Sequence, residues 1–288
     1  MDIIKSIGDL RKAVRNARSA GRTIGVVPTM GYLHEGHLSL MRRARRENDL
    51  VVATVFVNPT QFGPNEDFEA YPRNAQRDID LMQAENVDIA FMPEADDLYP
   101  HGYATYVEVQ GPMTQALCGA SRPGHFKGVT TIVAKLFHLT TPHRAYFGQK
   151  DAQQVAVIRQ MARDLDFDLE VVACPTMREP DGLAMSSRNS YLSDSQRADA
   201  VVISRALFEA RDMIAAGETQ AGKVIDHVRT RIEAVEQADI DYLAVVDYHT
   251  LTDLEVLDGS VLIAVAVNFG NTRLIDNLAI DMPTGSGS

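Results

Sequence analysis

The chain has 288 residues, with 28 Lys and Arg against 39 Asp and Glu, a formal net charge of -11 at neutral pH. That balance disfavours a general nucleic-acid-binding surface, while 45% hydrophobic residues supply apolar material for one large domain or two. The longest apolar runs, near 51–57 and 261–267, are strand-length and too short to span a bilayer, no signal peptide opens the chain, and only Cys118 and Cys174 are present, so a cytoplasmic enzyme without a disulfide framework is expected.

From the start to about residue 175, helical stretches alternate with short strands at 23–27, 50–57, 88–91, 144–147 and 169–174. This alternation predicts an α/β domain with a parallel sheet and crossover helices. The first of these strands is apolar, partly β-branched and closed by Pro28, and residues 38–46 then place apolar side chains at helical spacing. The run Pro28-Thr29-Met30-Gly31-Tyr32-Leu33-His34-Glu35-Gly36-His37 therefore sits on a β-to-α turn. A helix start offers unpaired N–H groups and the positive end of its dipole to an anion, and Gly36 carries no Cβ to hold a phosphate away. His34 and His37 are expected on one helix face, donating to phosphate oxygens as negative charge builds up. A pair of histidines three apart also arises on an ordinary solvated face; a zinc site is disfavoured, because H-E-G-H is one residue short of H-E-x-x-H.

Polar loops follow two further strands: Asn58-Pro59-Thr60-Gln61-Phe62 and Gly148-Gln149-Lys150-Asp151. Ligands of parallel sheets collect beyond the carboxyl ends of the strands, so the three loops are expected to converge on one crevice. After the polar loop 178–189 the character changes. Ser193-Asp194-Ser195-Gln196 reads as a capping box opening a helix to about residue 216, a second helix follows from about 219, and strand-like runs occupy 242–248, 261–268 and 272–281. The expected organisation is an α/β domain over 1–177, a smaller α+β domain over 178–283 hinged near 175–180, and a flexible Gly/Ser tail at 284–288.

Five motifs, P-T-M-G-x-L-H-E-G-H, F-V-N-P-T-Q-F, R-P-G-H-F-x-G-V, Y-F-G-Q-K-D-x-Q-Q and M-S-S-R-N, together resemble the pantothenate synthetase (pantoate–β-alanine ligase) family, within the H-x-G-H nucleotidyltransferases. The resemblance implies a Rossmann-like catalytic domain binding ATP and pantoate, and a C-terminal lid. It implies attack of the pantoate carboxylate on the α-phosphorus of ATP, then displacement of AMP from pantoyl adenylate by β-alanine. By the same resemblance Met30, Gly31, Tyr32, Leu33, His34, Glu35, Gly36 and His37 line the ATP site, joined by Gly148, Gln149, Lys150, Asp151, Met177, Met185, Ser186, Ser187 and Arg188. The catalytic roles fall to His34, His37, Lys150 and Arg188, with Met185 to Arg188 a mobile phosphate loop. Gln61 and Gln154 would bind pantoate, and Gln61 also β-alanine; Arg122, His125 and Tyr71 would shape the pocket. Mg2+ is expected to arrive with ATP and keep most of its waters, with no dedicated protein cage, and a homodimer is implied.

In-line attack on phosphorus asks the protein mainly for alignment and charge stabilisation, which these donors fit. Taken singly, Lys150 reads equally as a solvated strand-end lysine, either glutamine as a surface residue, and 185–188 as a plain linker. Gln149, Cys118, Lys127 and Met177 depart from residues frequent in the family and bear on affinity rather than on the reaction. Two rivals remain: another adenylyl- or cytidylyltransferase, which would need extra basic residues for an acceptor phosphate, and a nucleotide sensor, which would tolerate erosion at His37, Lys150 or Arg188.

Overall fold

The computed structural model describes residues 1–64 and 66–282; the expected tail at 284–288 lies outside the described residues, as do Asn65 and Pro283. In chain order the elements are β1 (Asp2–Ile4), α1 (Ile7–Ser19), β2 (Ile24–Thr29), α2 (Glu35–Glu47), β3 (Leu50–Val55), α3 (Ala75–Ala84), β4 (Ile89–Phe91), α4 (Ala95–Leu98), α5 (Cys118–Ser121), α6 (His125–Thr140), β5 (Arg144–Gly148), α7 (Ala152–Asp164) and β6 (Glu170–Cys174). They continue with α8 (Asp194–Asp199), α9 (Val201–Ala215), α10 (Ala221–Glu233), β7 (Ala238–Asp247), β8 (Ser260–Phe269) and β9 (Thr272–Asp281). Packing divides the chain into two compact units. The first takes Met1–Val109, Arg122–Gln149 and Val157–Pro175; the second takes Gln110–Ser121, Lys150–Ala156 and the chain from Thr176 onward.

The first unit holds a six-stranded sheet in the order β1-β4-β3-β2-β5-β6, parallel throughout. Ile24, Val26 and Val27 on β2 and Val51, Val52 and Ala53 on β3 are completely buried, which explains why these strands read as unbroken apolar runs rather than alternations. The chain runs outward from β2 through β3 to β4 on one side and through β5 to β6 on the other. The switch point of the topology is thus β2 beside β5, where parallel sheets place their ligands. On α2, Leu38, Met41 and Ala44 recur at helical spacing and turn into the core with Val27, Val51 and Ala53. Sequence reading missed β1, a three-residue edge strand pairing Asp2 to Ile89 and Ile4 to Phe91, because so short a run carries no period.

In the second unit β7, β8 and β9 form an antiparallel meander. Alternate residues of β8 serve two cores. Val261, Ile263, Val265 and Val267 pack with Leu207 and Ala210 of α9 and Val224 and Val228 of α10; Leu262 and Ala264 pack with Leu117, Ala152, Val246 and Leu251. Each buried valine contributes about 1.5–3 kcal/mol of hydrophobic stabilisation, so β8 is the keel of this unit. The capping box forms as expected: Gln196 N–H donates to Ser193 Oγ at 3.3 Å and Ser193 N–H to Gln196 Oε1 at 3.0 Å. The single helix expected after it is instead α8 and α9, separated at the completely buried Ala200. β7 begins at Ala238, before the expected 242: Ala238, Ile240 and Tyr242 alternate with Asp239 and Asp241 in the two-residue strand period, a half-buried pattern that a search for unbroken apolar runs passes over.

Among the described residues no helix is long and apolar enough to cross a membrane.

Candidate functional site

The loop leaving β2 is fixed by bonds from far along the chain. Thr29 Oγ1 donates to the Thr54 carbonyl at 2.6 Å and accepts from Gly31 N–H at 3.2 Å. Gly31 (φ +84°) and Tyr32 (φ 49°) are both left-handed, so two consecutive N–H groups turn the same way, and the carboxylate of Asp78 takes both the Tyr32 and Leu33 N–H groups at 2.8 Å. Only glycine fits at 31: a Cβ would stand 2.8 Å from Val55 Cγ1 and 2.9 Å from Asp78 Oδ2. Asp78, 1% exposed on α3, lies 46 residues from Tyr32, and no local pattern announces it. Arg77 donates to the Leu33 carbonyl at 2.8 Å with its guanidinium 5.3 Å from the centre of the Tyr32 ring. Leu33 itself is completely buried with its N–H and carbonyl both engaged, so it shapes the loop from within.

The histidines differ from the expected arrangement. His34 is the N-cap of α2 and His37 its third residue; the rings approach to 4.1 Å between centroids, 42° apart. Gly36 N–H donates to His34 Nδ1 at 3.1 Å, and His34 N–H donates to His37 Nδ1 at 3.3 Å. The helix start is therefore capped by its own imidazoles, and the Gly36 N–H, expected to be unpaired, is spent on this cap. With Nδ1 accepting on both rings, each neutral imidazole carries its proton on Nε2. Two Nε2–H donors then sit beside the positive end of a 13-residue helix, a suitable combination for a polyphosphate. Glu35 is committed to an ion pair with Arg42.

After β3, Asn58 is buried and caps the turn Pro59–Gln61. Gln61 Nε2 donates to Met30 Sδ at 2.9 Å, so the first two motif loops meet. Gln61 is held from behind as well: its carbonyl accepts from His125 Nδ1 at 2.8 Å, and Arg122 Nη1 donates to His125 Nε2 at 3.1 Å. Arg122 also grips Glu66 with Nε at 2.8 Å. Burial pushes the Glu66 carboxyl up, but the Arg122 guanidinium and the Gly63 N–H outweigh it and hold it below its ordinary range. Tyr71 is buried edge-on to Phe62, with ring centroids 5.9 Å apart. Gly148 ends β5 at the switch point, where a Cβ would meet nothing within 4 Å.

Of the remaining motif residues Gln149 ends a segment of the first unit, and those from Lys150 onward belong to the second. Gln149, Lys150 and Asp151 form a 3-10 turn into α7, and the Lys150 carbonyl accepts from Asn277 Nδ2 at 2.8 Å. Gln154 lies half-buried on the first turn of α7. Its neighbour Gln153 is buried and clamps the segment before it, accepting from Cys118 N–H at 2.9 Å and donating to the carbonyls of Met113 at 2.9 Å and Ala116 at 2.7 Å. Met177 and Met185 face each other across a tight hairpin, Met185 N–H donating to the Met177 carbonyl at 2.9 Å. Arg178 at its root makes a two-pronged pair with Asp276, 3% exposed, at 2.6 and 3.0 Å. Ser186 Oγ accepts from Arg188 N–H at 3.3 Å and starts a 3-10 turn containing the buried Ser187. Lys150, Ser186, Asn189 and Asp276 border one small cavity. Sequence reasoning missed Asp78, Gln153, Asp276 and Asn277, whose partners are distant in the chain. Among the described residues no three His, Cys, Asp or Glu side chains cluster as a metal cage.

The chain is similar to known proteins along almost its whole length. Residues 2–279 match the family model described as pantoate-beta-alanine ligase. A pantothenate synthetase of Acetivibrio thermocellus is 55% identical over 282 residues, covering 98% of this chain and all of that protein. The crystal structure of pantothenate synthetase from Thermus thermophilus superposes with a TM-score of 0.93 at 48% identity, covering 96% of this chain and 99% of that one. A pantoate-beta-alanine ligase from Francisella tularensis, crystallised with beta-gamma ATP and beta-alanine, gives a TM-score of 0.77 at 34% identity, covering 96% and 97%.

Proposed function

The chain belongs to the pantoate-beta-alanine ligase family, and from that membership we propose how its residues carry out the reaction. The enzyme is an ATP-dependent ligase that condenses (R)-pantoate with β-alanine to pantothenate through pantoyl adenylate, releasing AMP and pyrophosphate. In the first step a pantoate carboxylate oxygen bonds to the α-phosphorus, and the bond from that phosphorus to the pyrophosphate oxygen breaks. In the second, the free amine of β-alanine bonds to the acyl carbon, the acyl C–O bond to AMP breaks, and the amine gives up a proton.

The observation that carries the assignment of roles is the reciprocal imidazole cap. His34 and His37 direct Nε2–H donors at the triphosphate and stabilise charge as pyrophosphate departs, His37 being the closer analogue of a proton donor. Lys150 supplies a point charge to the phosphates. Arg188, with the hydroxyls of Ser186 and Ser187, supplies a forked contact suited to phosphate oxygens. Met30, Gly31, Tyr32, Leu33, Glu35, Gly36, Gly148, Gln149, Asp151, Met177 and Met185 shape the nucleotide site. Gln61 and Gln154 bind pantoate, and Gln61 borders the β-alanine position.

Mg2+ accompanies ATP, held by its phosphates and water, a role that suits a hard cation reluctant to shed its waters. The functional division is a catalytic domain at 1–177 and a lid at 178–283; the sheet changes from parallel to antiparallel across that boundary, in support. The protein acts in the cytoplasm, consistent with its two free cysteines, and as a homodimer, which sedimentation would check.

Pantoate-dependent exchange of labelled pyrophosphate into ATP, without β-alanine, tests the adenylate step. Exchange that converts to AMP and pantothenate when β-alanine is added is the expected result; no exchange would remove the adenylate from the mechanism.

A further inference from the structure

We infer that Asn189 is the positioning residue for Lys150: its side-chain carbonyl oxygen takes one N–H of the Lys150 ammonium and leaves the other two for phosphate oxygens. The inference rests on the phosphate role given to Lys150 above and deepens it, by naming what aims a charge carried on a flexible stem.

The two ends of the Asn189 amide are told apart by the main chain. Its Nδ2 donates to the Ala184 carbonyl at 3.1 Å, a group that can only accept, so the other end is Oδ1. That oxygen is shut away from solvent and has no hydrogen-bond partner among the described residues. An unpaired buried acceptor carries its full desolvation penalty, so a donor is expected to meet it in the working enzyme. Asn189 is fixed through its main chain as well, its N–H donating to the Ser186 carbonyl at 3.0 Å, and Oδ1 is not free to swing elsewhere for a partner.

Lys150 supplies the complementary group. It borders the same cavity as Asn189, whose free volume of about 10 Å³ is room for one water molecule or one ammonium group. Among the described residues the Lys150 ammonium is in no hydrogen bond or ion pair, whereas its carbonyl is pinned by Asn277 Nδ2 at 2.8 Å. A fixed main chain and a four-carbon stem suffice to bring three N–H donors across so small a space. The Asp276 carboxylate at the same rim favours a cation but is already engaged: Oδ2 accepts from Arg178 Nη1 at 2.6 Å, and Oδ1 from Arg178 Nη2 at 3.0 Å and the Asn277 N–H at 2.8 Å. A carboxylate partner would cancel the charge the phosphates need. An amide oxygen holds the ammonium and leaves that charge intact. Because Asn189 closes the turn that begins at Ser186, the aim of the lysine also depends on the fold of the proposed phosphate loop.

The test joins a double-mutant cycle, read in single-turnover formation of pantoyl adenylate, to labelling of the free enzyme with trinitrobenzenesulfonate, read lysine by lysine in peptide mass spectra. Lys150→Ala should slow the adenylate step by about 100-fold. Asn189→Ala should slow it about 10-fold in the parent and by less than about 2-fold further in the Lys150→Ala background. Asn189→Asp should slow it at least as much as Asn189→Ala, because an ammonium paired with a carboxylate meets phosphate with its charge cancelled. Labelling separates positioning from scaffolding, since only the unprotonated amine reacts. Lys150 should react several-fold faster in Asn189→Ala, which frees it, and more slowly than the parent in Asn189→Asp, which holds its proton more tightly, with the other lysines unchanged as the reference for folding. If Asn189→Ala does not fold, the Asn189→Asp arm stands alone. Equal labelling of Lys150 in parent and variants, or rate losses for Asn189→Ala and Lys150→Ala that simply multiply, overturn the inference. Coupling of Asn189 to Ser186→Ala in place of Lys150→Ala also overturns it, by giving the oxygen to the Ser186 hydroxyl. A Lys150→Ala enzyme that forms the adenylate at the parent rate overturns the phosphate role of Lys150 itself, a separate and recognisable failure.

Discussion

The loop after β2 and the segment from Met177 to Asn189, which contains the proposed phosphate loop Met185 to Arg188, are held in different ways. The first is tied across long stretches of chain, with Asp78 taking two of its N–H groups from 45 and 46 residues away and Arg77 its carbonyl from 44. The second is rooted by the Arg178 pair with Asp276, 98 residues distant, while its turns are drawn by bonds of two to eight residues: Arg188 N–H to Ser186 Oγ, Asn189 Nδ2 to the Ala184 carbonyl, Met185 N–H to the Met177 carbonyl. A site that must meet developing charge gains from donors fixed before the ligand arrives. A segment that is to close over a ligand gains from one firm root and short-range turns. The contrast separates mutations that cost turnover from those that cost stability.

The sharpest test is His37→Ala, which should slow adenylate formation by about 1,000-fold, roughly 4 kcal/mol of transition-state stabilisation, with the unfolding midpoint moved only by the loss of one capping bond. Single-turnover measurement with pantoate and ATP reads it. Near-normal turnover would take His37 out of the chemistry and leave it a cap.

Arg178→Ala should come next. Removing the guanidinium strands a 3% exposed carboxylate at Asp276, at a cost of about 3 kcal/mol in urea unfolding, and Asp276→Asn in the same background should recover part of it. If the single variant is as stable as the parent, the segment is not rooted there.

Asp78→Asn replaces one of two accepting oxygens by an NH2 and should cost about 1.5 kcal/mol, with a rise in the ATP KM because the turn presenting His34 loosens. Unchanged ATP use in a destabilised variant would confine Asp78 to folding.

The smallest effect is expected at Glu66. Its carboxyl is held below the ordinary range in the folded protein, so the stabilisation is fully present above the unfolded-state value and is lost as pH falls through the depressed one. Glu66→Gln should therefore be less stable than the parent by about 1 kcal/mol at neutral pH, the gap closing below about pH 4. A gap that persists or widens in acid would assign the loss to packing.

The sequence disclosed what is local and concealed what is folded together. The strands from β2 to β6 were legible as short apolar runs, although β2 continues through Pro28 to Thr29, and the histidines because they stand three positions apart. The imidazole cap was not, since the expected helical face for His34 and His37 assumed both lay inside the helix. Asp78 carried no signal, being one of two aspartates on an amphipathic helix, with partners more than forty residues away. Gly128 stood in a quoted motif, but its use, the 2.2 Å it concedes to the Thr60 carbonyl, was not legible there. β7 began earlier than expected because its start, Ala238 to Tyr242, alternates apolar residues with Asp239 and Asp241 instead of forming an unbroken apolar run.

The second core beneath β8 has a consequence for biosynthesis. Leu117 and Ala152 belong to stretches of chain made well before Leu262 and Ala264, the side chains they cover. At ribosomal rates of about 5–20 residues per second that interval is on the order of ten seconds, during which two apolar segments emerge with no surface to meet. The second unit therefore cannot mature as a domain appended at the end of translation: its earliest parts must wait, exposed or chaperoned, for its last strands to arrive.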